Sequence, residues 1–172
     1  MPPRLLAVND FDCSLLPSDA RQPGTGAFTE EVTRYFRHEY ADFGGFVRVV
    51  VGEDAIEVTW TPDPTRPEPM DIVLRHLNRG EYPEGIRLMN ALMRYRPADI
   101  RVLYNLGLAL SETGNAPRAE ELLRRAVEIN PDDSNTRVGL GVALARQQKT
   151  AEAVDVLREV VSENPSNPWA RW

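Results

Sequence analysis

Apolar positions along this 172-residue chain follow two different periods. From about residue 68 onward they recur three and four apart, the spacing of one helical face. In "VLYNLGLALSETGNAPRAEELLRRAVEINP" Leu103, Leu106, Gly107 and Leu110 make one stripe. Ala119, Leu122, Leu123, Ala126 and Val127 make a second. Gly114-Asn115 separates them, and Pro117 suits the first turn of the second helix, where its missing N–H costs no bond. Small residues at Gly107 and Ala119 predict two antiparallel helices in close approach. Before residue 65 the period shortens. In "FVRVVVGEDAIEVTW" Val47, Val49 and Val51 alternate on one run and Ile56, Val58 and Trp60 on the next. That pattern predicts a β-hairpin over residues 46–60, turning at Gly52-Glu53-Asp54.

The helical part repeats at a spacing of 34, seen directly in Pro97, Pro131 and Pro165. Ile72, Leu106 and Leu140 align at that offset, as do Val73, Gly107 and Gly141. So do Gly85, Ala119 and Ala153, then Met89, Leu123 and Leu157. One helix pair of this size cannot bury its own apolar face, so successive pairs must stack.

With its large–small–large alternation, "LYNLGLAL…G…A…L..A….P" resembles the tetratricopeptide repeat family. Three repeats are expected, at about 68–97, 100–131 and 134–165, in an array over 66–172 that ends on a partial helix. The expected fold class is α+β, mainly α: a right-handed superhelix of three helix pairs preceded by a small αββ or βαββ unit. Two departures stand out. The first repeat has Val73 and His76 where glycine and a larger apolar residue are usual, which predicts a wider helix crossing. The third has Gln148 at the turn position of the glycine.

The resemblance implies a concave groove that holds a peptide or a partner helix. Carried onto this sequence, its lining is Leu74, Leu77 and Asn78, then Arg101, Tyr104, Leu108 and Glu112, then Asn135, Val138, Val142 and Arg146. Some family members clamp a terminal carboxylate with Lys, Asn and Arg. Asn105 matches one such position, but Met70 and Leu74 stand where Lys and Asn are needed. An apolar groove with Arg101 and Arg146 beside it suits an amphipathic helix or an extended apolar peptide instead.

Residues 1–65 form a separate expectation, a small acidic α+β head. "RLLAV" (Arg4 to Val8) reads as a strand that pairs with the hairpin. Thr29-Glu30-Glu31 reads as a helix start, with a stripe of Phe28, Val32, Tyr35, Phe36 and Tyr40 running to about Asp42. Gly44-Gly45 ends that helix. The hairpin's apolar face should pack on Phe36 and Tyr40, and "TPDPTRPEP" is a stiff link to the repeats.

Charge narrows the partners. The net charge is −6. Residues 1–65 hold five Arg against eleven Asp and Glu, while the remainder balances. Nucleic acid and anionic membrane both require a basic field, so neither is an expected partner. The single Cys13 cannot form an intramolecular disulfide, and no apolar run suits a leader or a spanning helix, which makes a cytoplasmic protein the expectation.

Candidate chemistry is sparse. His38 and His76 lie on different modules without the neighbours a catalytic base needs. Asp10 and Asp12 in "NDFD" lack the further oxygens of a cation site. Gly24-Thr25-Gly26 lacks the lysine of a phosphate loop. No cofactor or metal is expected, and no enzymatic activity, with a small enzyme in residues 1–65 as the weakest alternative. A second expectation is self-assembly, through the hairpin edge or through a C-terminal face lined by Leu140, Leu144, Leu157, Val161, Trp169 and Trp172.

Overall fold

A short strand β1 (Arg4–Ala7) opens the fold, followed by three single 3-10 turns and the helix α1 (Gly26–Glu39). A hairpin of β2 (Phe46–Val51) and β3 (Ala55–Thr61) completes the first part. The computed structural model describes residues 3–163. It divides into two compact units, 1–72 and 73–172.

In the first unit β3 is the central strand, with the order β1-β3-β2 and both pairings antiparallel. The head is thus the βαββ form. Alternation places Ile56, Val58 and Trp60 on the inner face, all buried, against the buried Phe28, Val32 and Phe36 of α1 and Tyr40 just after it. Tyr40 stacks on Trp60 with ring centroids 5.6 Å apart. Trp60 Nε1 donates to the Gly44 carbonyl at 2.8 Å, so the indole is buried without losing its hydrogen bond. Gly44 and Gly45 turn the chain into β2 at φ +68° and +94°, a region that glycine enters without strain. Arg4 also faces inward, lying over the Phe36 ring at 5.5 Å and pairing with Glu39 at 3.8 Å. One expected boundary moves. The helix is capped by Thr25, whose hydroxyl accepts from the Phe28 amide, and not by Thr29; it ends at Glu39, with a 3-10 turn over 41–43.

The remaining helices come in pairs: α2 (Pro69–Asn78) with α3 (Tyr82–Tyr95), α4 (Ile100–Glu112) with α5 (Ala116–Ile129), and α6 (Ser134–Arg146) with α7 (Thr150–Glu163). Asp99 and Asp133 cap α4 and α6 by accepting from the amides of Arg101 and Asn135. Pro83 and Pro117 stand in the first turns of α3 and α5. The turns within pairs are built alike, with Gly80, Gly114 and Gln148 all at positive φ (74°, 87° and 62°). Close approach works as the small residues require. A Cβ on Gly107 would lie 2.7 Å from Leu123 Cγ, and one on Gly141 2.7 Å from Leu157 Cγ. In the first pair Val73 replaces the small residue of the first helix, while Gly85 of α3 receives the Leu77 side chain directly.

Candidate functional site

The first helices of the three pairs, α2, α4 and α6, line two neighbouring clefts. One, of about 490 Å³, is lined by Tyr104, Leu108, Glu112, Asn135, Val138, Gly139 and Val142. The other, of about 330 Å³, is lined by Leu74, Leu77, Asn78, Tyr82, Asn105, Leu108, Ala109 and Glu112. They share Leu108 and Glu112 and so form one surface running across three helices.

The 34-residue period builds this surface as columns. Leu74, Leu108 and Val142 form one, Tyr104 and Val138 a second, and Asn78, Glu112 and Arg146 a third. Val142 is the most open apolar member at 38% exposure; Tyr104 and Leu108 are half-buried. Val138 is nearly covered and packs with Val160 of α7, so it serves the core as much as the cleft. Leu77 does the same against Gly85. Gly139 lets α6 come close to α4: a Cβ there would meet Leu108 at 3.2 Å and Tyr104 at 3.5 Å.

Polar groups frame the apolar centre. Burial raises the Tyr104 phenol above its ordinary pKa, and the charge of Asp133 adds to this, so it remains a neutral hydrogen-bond donor. Arg146 does not line either cleft. It closes one end, with Nη2 2.7 Å from Glu112 Oε1 and Nη1 donating to the Ser111 carbonyl. Arg101 lies outside both clefts, exposed, 3.7 Å from Asp99. Asn105 turns its amide nitrogen to the Arg101 carbonyl at 2.8 Å.

Nine of the eleven residues expected at the groove therefore line one or other cleft, and two do not. Gly139, Tyr82 and Ala109 were not among the expected residues. Tyr82 was legible as an aromatic just before Pro83 at a helix start. Gly139 aligns with Asn105 and carries no apolar signal.

Other candidates fall away. Asp12 accepts from the amide and hydroxyl of Ser14 in a local turn, which also holds its carboxyl below the usual range. His76 Nδ1 lies 2.5 Å from Glu81 in the α2–α3 turn. Among the described residues no cluster of three or more metal-binding side chains occurs, and no helix is long and apolar enough to cross a membrane. Two residues expected on an exposed C-terminal face need correction. Leu140 and Leu144 are buried with Ala119, Leu123, Ala143 and Ala153, because α7 folds back over them. Leu157 and Val161 are half-buried, and Trp169 and Trp172 lie outside the described residues.

Stacked antiparallel helix pairs with glycine-type turns, a 34-residue period and a surface formed by the first helices define a helical repeat protein. The sequence matches the family model described as tetratricopeptide repeat at residues 70–134 and 114–168, and the chain belongs to that family. Solved structures agree on the fold. The first repeat domain of Spaghetti (RPAP3), bound to the HSP90 peptide SRMEEVD, is 22% identical with a TM-score of 0.57, over 59% of this chain and 81% of that one. The second such domain of human RPAP3, in complex with the HSP70 peptide SGPTIEEVD, is 20% identical with a TM-score of 0.56, over 59% and 85%. MamA from Desulfovibrio magneticus RS-1 is 26% identical with a TM-score of 0.55, over 59% of this chain and 58% of that one. No curated protein matches the sequence.

Proposed function

We propose that this chain is a protein-interaction module whose concave surface holds an apolar or amphipathic segment of a partner protein. The observation that carries this reading is the apolar strip Leu74–Leu108–Val142, flanked by Tyr104, that runs unbroken through both clefts. A segment with apolar side chains at helical spacing would lay them along this strip. Its polar edge would meet the Tyr104 hydroxyl, Asn78 and Asn135.

The peptides bound to the RPAP3 domains both end in Glu-Glu-Val-Asp. Such a tail is not the ligand inferred here. Leu74 and the buried Met70 replace two cationic or amide groups, Asn105 is committed to its own helix, and Arg146 is occupied by Glu112.

Selection of a displayed random-peptide library on the full chain tests the reading. Enriched sequences should carry apolar residues three and four apart. Val142→Glu and Tyr104→Glu should each weaken the selected peptides by roughly tenfold or more, because each sets a charge against an apolar contact. Helical circular dichroism should be retained. Equal binding to wild type and both variants sinks the groove.

A further inference from the structure

The head carries a second feature that the groove does not use. Its two sheet edges are unequally protected. β1 is four residues long and directly follows Pro3, a residue that blunts an edge. β2 is six residues, "FVRVVV", without proline or an inward charge.

The hydrogen-bond pattern identifies which groups of β2 are free. Gly52 donates to the Ala55 carbonyl at 2.8 Å, closing the hairpin. Counting back in alternation, Val50, Arg48 and Phe46 exchange bonds with Glu57, Thr59 and Thr61. The N–H and C=O groups of Val47, Val49 and Val51 therefore point outward, and among the described residues nothing hydrogen-bonds to them. On the outer sheet face Phe46 and Val50 are 67% and 42% exposed. An unpaired, valine-rich edge of this kind is a template for another strand.

We propose that the strand that occupies it is β2 of a second copy, paired antiparallel about a two-fold axis through Val49 to give a six-stranded sheet. Four features of the edge fit a copy of itself. With Val49 opposite Val49, the outward-bonding residues meet one another, Val47 opposite Val51. On the outer face Phe46 then falls opposite Gly52, an aromatic ring over a bare glycine. Arg48 falls opposite Val50, so no like charges stand face to face; shifting the register by two residues to centre on Arg48 would set two arginines together. Across the same row, Arg48 of one copy and Glu57 of the other lie two strands apart, about 10 Å, within the combined reach of both side chains. Neither has an ion-pair partner among the described residues of its own chain. Both contacts occur twice, as an isologous interface requires.

Sedimentation equilibrium on the full chain tests this. The mass should rise from 19.4 kDa towards twice that value with concentration. Val49→Pro removes an outward N–H that the head's own sheet does not use, so it should leave a monomer at every concentration with unchanged near-ultraviolet circular dichroism. Arg48→Glu should weaken the dimer by roughly tenfold, and adding Glu57→Arg should restore it. A chain that stays monomeric, or a dimer indifferent to Val49→Pro, overturns the proposal. Should Val49→Pro disturb the head itself, the charge swap decides: failure to restore the dimer overturns it equally.

Discussion

The Lys149 ammonium sits 2.7 Å from Oε2 of the buried Glu120, joining the turn of the third helix pair to the second helix of the pair before it. Lys149 is the one lysine in the sequence. Gln147 donates to the same oxygen at 2.7 Å, and Arg124 bridges from Glu120 to Glu152. Burial pushes the Glu120 carboxyl up, but the bonds from Lys149, Arg124 and Gln147 outweigh it and hold the pKa at about 2.

That depressed value fixes a pH dependence. An unfolded glutamate titrates near 4.5, so the cluster's contribution is complete above that pH and is lost as pH falls towards 2. Lys149 and Arg124 are about two fifths exposed, and solvent screening limits the contribution to about 1–2 kcal/mol. Glu120→Gln should lower stability by that amount at pH 7 in urea unfolding. The gap to wild type should close between pH 4.5 and 2; a constant gap would mean that the ionised carboxylate does not matter.

Gln148 offers a gain of stability. It holds φ +62° at the position where the other two turns have glycine, and its exposed side chain makes no hydrogen bond among the described residues. Gln148→Gly should stabilise the repeats by about 1 kcal/mol, and Gly114→Ala should cost a similar amount. Thermal melts of the two variants should move in opposite directions.

The helix crossings give a coupling. Gly107→Ala drives a Cβ against Leu123, which is fully buried and cannot swing away, so a cost of about 1–3 kcal/mol is expected. Gly141→Ala should cost less, since Leu157 is half-buried. In a double-mutant cycle Gly107→Ala with Leu123→Ala should be milder than the sum of the two. Additivity would show that the two residues do not compete for space.

Much of this architecture was legible because it is local or periodic. The 34-residue offset fixes which glycines turn, which small residues face large ones and which columns share a surface, so Gln148 stands out in the sequence alone. The Glu112–Arg146 pair was also readable, as opposite charges one period apart. The Glu120–Lys149 bond was not: the residues are 29 apart and meet only because α5 packs beside the α6–α7 turn. Thr25 was hidden between two glycines, which read as loop, while the acidic pair after Thr29 imitated a first turn. The burial of Leu140 and Leu144 depended on how far α7 folds back, which periodicity does not state.

The Glu112–Arg146 pair leads to the last prediction, which bears on the groove reading directly. Both charges stand at the end of the apolar strip and satisfy each other, so neither is offered to a ligand. A peptide selected on the groove should therefore bind wild type with little dependence on salt. Glu112→Ala frees the Arg146 guanidinium while its second nitrogen stays on the Ser111 carbonyl, which keeps it in place. A peptide given an acidic residue at the matching end should then bind the variant about two- to fivefold more tightly than wild type, the size of one exposed ion pair. That gain should fade as salt is raised. Fluorescence anisotropy with the neutral and acidic peptides measures both effects. If the acidic peptide gains nothing, the column of Asn78, Glu112 and Arg146 does not face the ligand.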